Sequence, residues 1–269
     1  MDRLQSHYRD RVSTTQPADL EPIMHTALSV GARVQMAGGY TARVRDTVRR
    51  VALNLGAEEA QCWLSSGSVG LTLTKDGVTH TAVRTVPALG VNFTELSELS
   101  RLSKATEGKS PTQVQAELDA ITASSRRYPP PVTVVMLGIA CASLAGLFGA
   151  DPWGIVLAGL GATAGSAVRM VMLRRRFKPF VYCLFSAFVA VSVVLVISAL
   201  TDTRGDSGVS TATTASILFL VPGVPLLNGT ADLLTSNYLN ALARLTRASV
   251  ILLGATFGLA LASFVWVRL

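Results

Sequence analysis

The chain has 269 residues, of which 49% are hydrophobic and only 15% charged, with a net charge of +7. An ordinary soluble domain is about one quarter charged, so this composition excludes a wholly soluble protein. The basic excess does not indicate nucleic acid: much of it (Arg126, Arg127, Arg174, Arg175, Arg176, Lys178) flanks apolar runs, where membrane orientation requires it, and no nucleic-acid-reading signature accompanies it.

Residues 1–19 are rich in Ser, Thr, Gln and Pro and read as a flexible arm. They lack the apolar stretch of a secretory signal, so the domain that follows, residues 20–128, is expected in the cytoplasm. Ile23, Ala27, Val30, Val34 and Ala37 recur at helical spacing. Gly38-Gly39 breaks that helix, and Thr41 is placed to cap a second one running to Leu55 and ended by Gly56. Its apolar stripe is Val44, Val48, Val51 and Leu55; Arg43, Arg45, Asp46, Arg49 and Arg50 form the opposite face, read as meeting water or lipid headgroups. Strands are expected over Gln61 to Ser65, Ser68 to Thr74 and Val78 to Val86, the last carrying Thr79, Thr81, Val83 and Thr85. Asp76-Gly77 marks the hairpin between the second and third. Two further helices follow, from about Phe93 to Thr106 and from Pro111 to Ser124, with Ser110 as cap. The fold class is a small α+β soluble domain followed by an all-α membrane bundle.

No chemistry is legible in the soluble half. His7, His25 and His80 are isolated, no HExxH, GxSxG or phosphate loop is present, and Ser65-Ser66-Gly67-Ser68 reads as a turn rather than a nucleophile. Cys62, Cys141 and Cys183 stand far apart, so neither a disulfide framework nor a metal site is expected, and no cofactor is implied.

Pro129, Pro130 and Pro131 form a stiff linker into the membrane half, residues 129–269. Apolar runs span Val132 to Ala150, Trp153 to Leu173, Phe180 to Leu200, about Ala212 to Leu227, and Ala248 to Val267. Four approach the roughly 20 residues needed to cross a bilayer; the fourth is shorter and broken by two prolines. With five spans, Arg126 and Arg127, the Arg174 to Lys178 run, and Arg244 with Arg247 all fall on one side, which is then cytoplasmic. Stripes of small residues (Gly138, Ala142, Gly146; Gly161, Gly165; Gly254, Gly258, Ala262) let helix backbones approach closely, within one chain or between chains.

The most informative stretch is Leu218 to Asp232. Pro222 and Pro225 lack N–H groups and cannot both sit in an unbroken helix, which frees the carbonyls of Leu218 and Val221. At membrane depth such a break is tolerated against protein or a watery cavity, and transporters build midplane sites from it. A helix starting near Leu226 would favour a carboxylate. Asn228 and Asp232 share a helix face, with Thr235 one turn on. Asp232 is placed to pair with a substrate ammonium or carry a proton; otherwise the prolines make a packing kink and Asp232 lies in cytoplasmic water. Pro222, Gly223, Pro225, Asn228, Asp232 and Thr235 are therefore candidate pathway residues. Arg169 joins them as the other charge within a span, although it can also snorkel to the interface.

Gly31, Gly38-Gly39-Tyr40, Val44, Asp46, Arg49 and Gly56, and more sharply Leu220-Val221-Pro222-Gly223, Asn228, Asp232-Leu233-Leu234 and Tyr238 through Arg244, resemble the threonine/serine exporter family, in particular the larger component of its split, two-protein form. The resemblance runs from about Met24 to the end; Pro225 departs from it, standing where relatives have ordinary apolar residues. It implies export of threonine, serine or a dicarboxylate such as succinate. It also implies a second small membrane protein as partner, in an inverted-topology pair with the site between the halves. A homo-oligomer through the glycine stripes is the alternative assembly. The competing functions are a membrane-anchored enzyme, scaffold or sensor using the soluble domain.

Overall fold

The computed structural model describes residues 20–86, 90–125, 128–203 and 207–267. The expected N-terminal arm with His7, and the basic pair Arg126 and Arg127, lie outside them. The described residues divide into two compact units: residues 20–125 with 227–243, and residues 128–226 with 244–267.

In the first unit, α1 (Glu21–Met36) is central, burying Ile23, Ala27, Val30 and Val34 as their spacing predicts. Gly38, at φ 101°, ends the approach to its turn in a conformation open to glycine. α2 (Thr41–Asn54) then packs back on α1 through Val44, Val48 and Val51, all fully buried. The two helices cross closely at Gly31, where an added Cβ would lie 2.2 Å from a Val48 methyl.

β1 (Glu59–Ser65), β2 (Ser68–Lys75) and β3 (Val78–Thr85) form an antiparallel meander in that order. Ser65 and Ser68 flank the β1–β2 turn with their hydroxyls 3.1 Å apart. Val69, Leu71 and Leu73 of β2 are fully buried, and the register pairs Ala82 with Leu71, His80 with Leu73 and Arg84 with Val69. The packed face of β3 is therefore Val78, His80, Ala82 and Arg84, while Thr79, Thr81, Val83 and Thr85 are exposed. α3 (Phe93–Lys104) is capped by Asn92, whose side chain accepts from the Glu95 N–H, and α4 (Pro111–Ser124) by a Ser110/Gln113 capping box. Leu96, Leu99, Val114 and Leu118 complete one core with α1, α2 and the sheet.

The second unit is helical: α5 (Pro130–Leu147), α6 (Pro152–Arg174), α7 (Pro179–Leu200), α8 (Ser207–Ser216), a 3₁₀ turn (Leu218–Leu220), the start of α9 (Gly223–Leu234) and most of α10 (Tyr238–Val267). α6 packs against α5, α7 and α8, and Asp151 caps it by accepting from the Gly154 N–H. The small-residue stripes are spent within the chain. A Cβ on Gly165 would lie 2.6 Å from the Ser186 carbonyl of α7, and one on Gly258 2.2 Å from the Leu184 carbonyl. Four helices are long and apolar enough to cross a bilayer, yet no more than 39% of each apolar window is buried. Their outward surface is apolar, which water does not tolerate over such an area and lipid does. A fifth crossing is counted if the bent pair of 208–220 and 223–234 is one span.

α9 ends at Leu234 and α10 begins at Tyr238, ten residues before the apolar run expected for the last span. Ser236, at φ 59°, turns the chain between them, and the Asn237 N–H donates to the Asp232 carbonyl at 2.8 Å.

Candidate functional site

The break is local and complete. Val221 is extended (φ −61°, ψ 122°), the conformation a following proline imposes, and the helices on its two sides are bent by 63°. The carbonyls expected to be free are retaken nearby: Leu218 O accepts from the Val221 N–H at 3.1 Å and Val221 O from the Gly223 N–H at 2.9 Å. α9 starts at Gly223 rather than near Leu226, so Pro225 falls in its first turn, where a missing N–H costs nothing. Pro222 is buried, Pro225 half-buried and Gly223 exposed.

Arg169 lies beside this break. It sits one turn beyond Gly165, whose added Cβ would lie 3.1 Å from the Phe219 ring of the 3₁₀ turn. Its guanidinium carbon is 6.0 Å from the centre of the Tyr182 ring, and Tyr182 shares an apolar cluster with Leu220. The Arg169 Nε is buried without a hydrogen-bond partner. This arginine is directed into helix packing, where its sequence position near the Arg174 run also allowed an interfacial reading.

Asn228 and Asp232 are on one face of α9 and in the first unit. Asn228 Nδ2 donates to the Gly38 carbonyl at 2.7 Å. Asp232 is fully buried, not in water; its Oδ1 accepts from the Thr41 backbone N–H and its Oδ2 from the Thr41 hydroxyl, both at 2.9 Å. Thr41 is the first residue of α2 and not its cap: Tyr40 holds the cap position without a side-chain cap bond. Asp232 supplies the missing acceptor from 191 residues away, a carboxylate at a helix N-terminus where charge and N–H direction both favour it. One helix pair later, Asn240 Nδ2 donates to the Leu64 carbonyl at the end of β1, at 3.1 Å. Thr235 is exposed and bonds back to the Ala231 carbonyl.

The six candidates of the 222–235 stretch thus separate into a helix break (Pro222, Gly223, Pro225), a pair bonded to the α1–α2 turn (Asn228, Asp232) and a helix end (Thr235). Thr41 and the Gly38 carbonyl are the partners that sequence reasoning missed. Burial pushes the Cys62 thiol up to about 12, against the opposing pull of Arg45. Among the described residues no three His, Cys, Asp or Glu side chains form a metal-binding group.

The family model described as "Putative threonine/serine exporter" matches residues 25–266. The chain belongs to that family. Among curated relatives, it is 28% identical over 232 residues to the "Probable succinate transporter subunit YjjP" of Klebsiella aerogenes, covering 85% of this chain and 88% of that one. It is 25% identical over 244 residues to the protein of the same name in Escherichia coli K12, covering 91% and 94%. No solved structure matches. The exporter-family chain is a multi-pass membrane protein that transports small metabolites, and the two blocks of sequence that carried the resemblance, around Gly38–Thr41 and Asn228–Asp232, are hydrogen-bonded to each other.

Proposed function

We propose that the chain is one subunit of a secondary exporter in the cytoplasmic membrane, moving a threonine- or serine-type amino acid or a C4-dicarboxylate such as succinate outward. Its partner is a second small membrane protein of the same family, as the word "subunit" in the relatives' names supports; a homo-oligomer is less favoured, because the glycine stripes are already filled by the chain's own helices. The chain does no covalent chemistry. Residues 207–226 form the fourth of five spans, broken at Val221-Pro222, and the N-terminal unit faces the cytoplasm.

The observation that carries this reading is the proline break beside a half-buried arginine. Arg169 offers a cation to a substrate carboxylate at the point where Pro222, Gly223 and Pro225 let the helix change direction; a charge inside a span is costly and is kept where a pathway uses it. Asn228 and Asp232 act as positioning residues that tie α9 to the α1–α2 turn, and Thr235 ends the helix below them.

The test is efflux of preloaded labelled threonine, serine and succinate from cells making this chain alone, the chain with the small membrane protein, and the pair carrying Arg169→Gln or Asp232→Asn. Efflux that needs the pair and falls to background in both variants, with both proteins present in the membrane, is the expected result. Absence of efflux for all three solutes from the wild-type pair would overturn the exporter assignment, and wild-type efflux in both variants would remove the site.

A further inference from the structure

The first unit holds a cavity of about 290 Å³ that the pathway does not use, lined by Ser29, Arg33, Arg84, Gln115, Leu118 and Asp119 among others. That volume is at the small end of ligand sites, which run from about 300 to 1,000 Å³, and suits a metabolite of a few heavy atoms. Its walls are α1, the packed face of β3 and α4, elements that share the unit's core. Arg84 projects from that face, half-buried, and donates to the Ser29 hydroxyl; among the described residues no carboxylate pairs with it. A half-buried guanidinium held by a single neutral hydroxyl retains unfilled donors aimed into the cavity. Arg33 is partly neutralised by Glu95 at 3.8 Å. On the opposite wall, Gln115 gives its Nε2 to Asp119 at 3.1 Å, which leaves its Oε1 buried without a partner.

Donors of Arg84 on one side and the buried Gln115 Oε1 and Asp119 on the other are matched by a ligand that carries both a carboxylate and an ammonium. The lining charges are Arg33, Arg84 and Asp119, and Glu95 beside Arg33 offsets part of the remaining positive charge, so the cavity lacks the two free cations that a dianion would need. A dicarboxylate would satisfy Arg84 while pressing a second negative charge on Asp119 and leaving Gln115 Oε1 unmet. We propose that this cavity is an effector site for a small α-amino acid, its carboxylate on Arg84 and Arg33, its ammonium on Gln115 Oε1 and Asp119. The site is separate from the membrane pathway and independent of the exporter reading.

The test is hydrogen–deuterium exchange of the purified full chain with L-threonine, L-serine, pooled standard L-amino acids, or succinate. An amino-acid probe is expected to protect peptides covering Ser29–Met36 and Gln115–Asp119. Arg84→Gln should weaken that protection by roughly tenfold or more, the loss of a charge-assisted hydrogen bond, and Gln115→Met should weaken it with the fold intact by thermal unfolding. Arg169→Gln should leave it unchanged. Protection by succinate alone, protection that survives both cavity variants, protection lost in Arg169→Gln and not in Arg84→Gln, or no protection with any amino-acid pool would each overturn the proposal.

Discussion

Two hydrogen bonds from Thr41 to Asp232 join parts of the chain that are 191 residues apart. Both partners are buried, Thr41 at 3% and Asp232 at 0% exposure, so neither can exchange the other for water. Hydrogen bonds to a charged group contribute about 1.5–3 kcal/mol, and stranding a buried partner adds its desolvation. Asp232→Ala should therefore destabilise the chain by about 2–3 kcal/mol in thermal or denaturant unfolding in detergent, and Thr41→Val, which keeps the backbone bond, by about 1–2 kcal/mol. The double variant should cost less than their sum, because each single change already removes the hydroxyl–carboxylate bond; strict additivity would show that this bond holds no energy. Asn228 is a weaker member, giving one neutral bond to the Gly38 carbonyl.

At the scale of the elements, periodicity located most helices and strands to within a few residues, because apolar spacing and Pro, Gly, Ser and Asn punctuation are local signals. Two things escaped it. β3 alternates on both faces, with Val83 among threonines on one and Val78 and Ala82 with His80 and Arg84 on the other, so its packed side, and with it Arg84 at the cavity, was not readable from one strand. Nor does an Asn–Asp pair four residues apart on an apolar helix name its partner; substrate, proton or protein satisfy it equally, and the residue it meets is far away in sequence. The glycines separate the same way. Gly258 faces a backbone carbonyl of α7 that cannot retreat, whereas Gly223 has open space where a Cβ would go. Gly258→Ala should lower stability by about 1–3 kcal/mol through overpacking, while Gly223→Ala should be neutral or stabilising by up to about 1 kcal/mol, since a helical first turn loses less entropy with alanine. Equal unfolding temperatures for the two variants would contradict the packing described.

For the whole molecule, the contact between Asp232 and the N-terminal domain constrains topology by counting. Residues 227–243 pack in the same unit as residues 20–125, which on the proposed topology puts Leu227 on the side of the bilayer from which the chain left. Three long helices, α5, α6 and α7, end on the opposite side. On the five-span reading proposed above, the segment from Ser207 to Leu226 crosses as well, although its longest helix has only 10 residues and it is interrupted at Val221-Pro222. Five crossings also gather Arg174, Arg175, Arg176, Lys178, Arg244 and Arg247 on the N-terminal side, as the positive-inside rule requires. A background in which Cys62, Cys141 and Cys183 are replaced by serine provides the measurement. A membrane-impermeant maleimide should label Thr201→Cys, an exposed position after α7, in intact cells, and should label Ser236→Cys, exposed between α9 and α10, only after the membrane is opened. Labelling of both in intact cells, or of neither, would place the two turns on one side. Residues 207–226 would then enter and leave by the same face, and the break at Pro222 would belong to a re-entrant loop instead of a span.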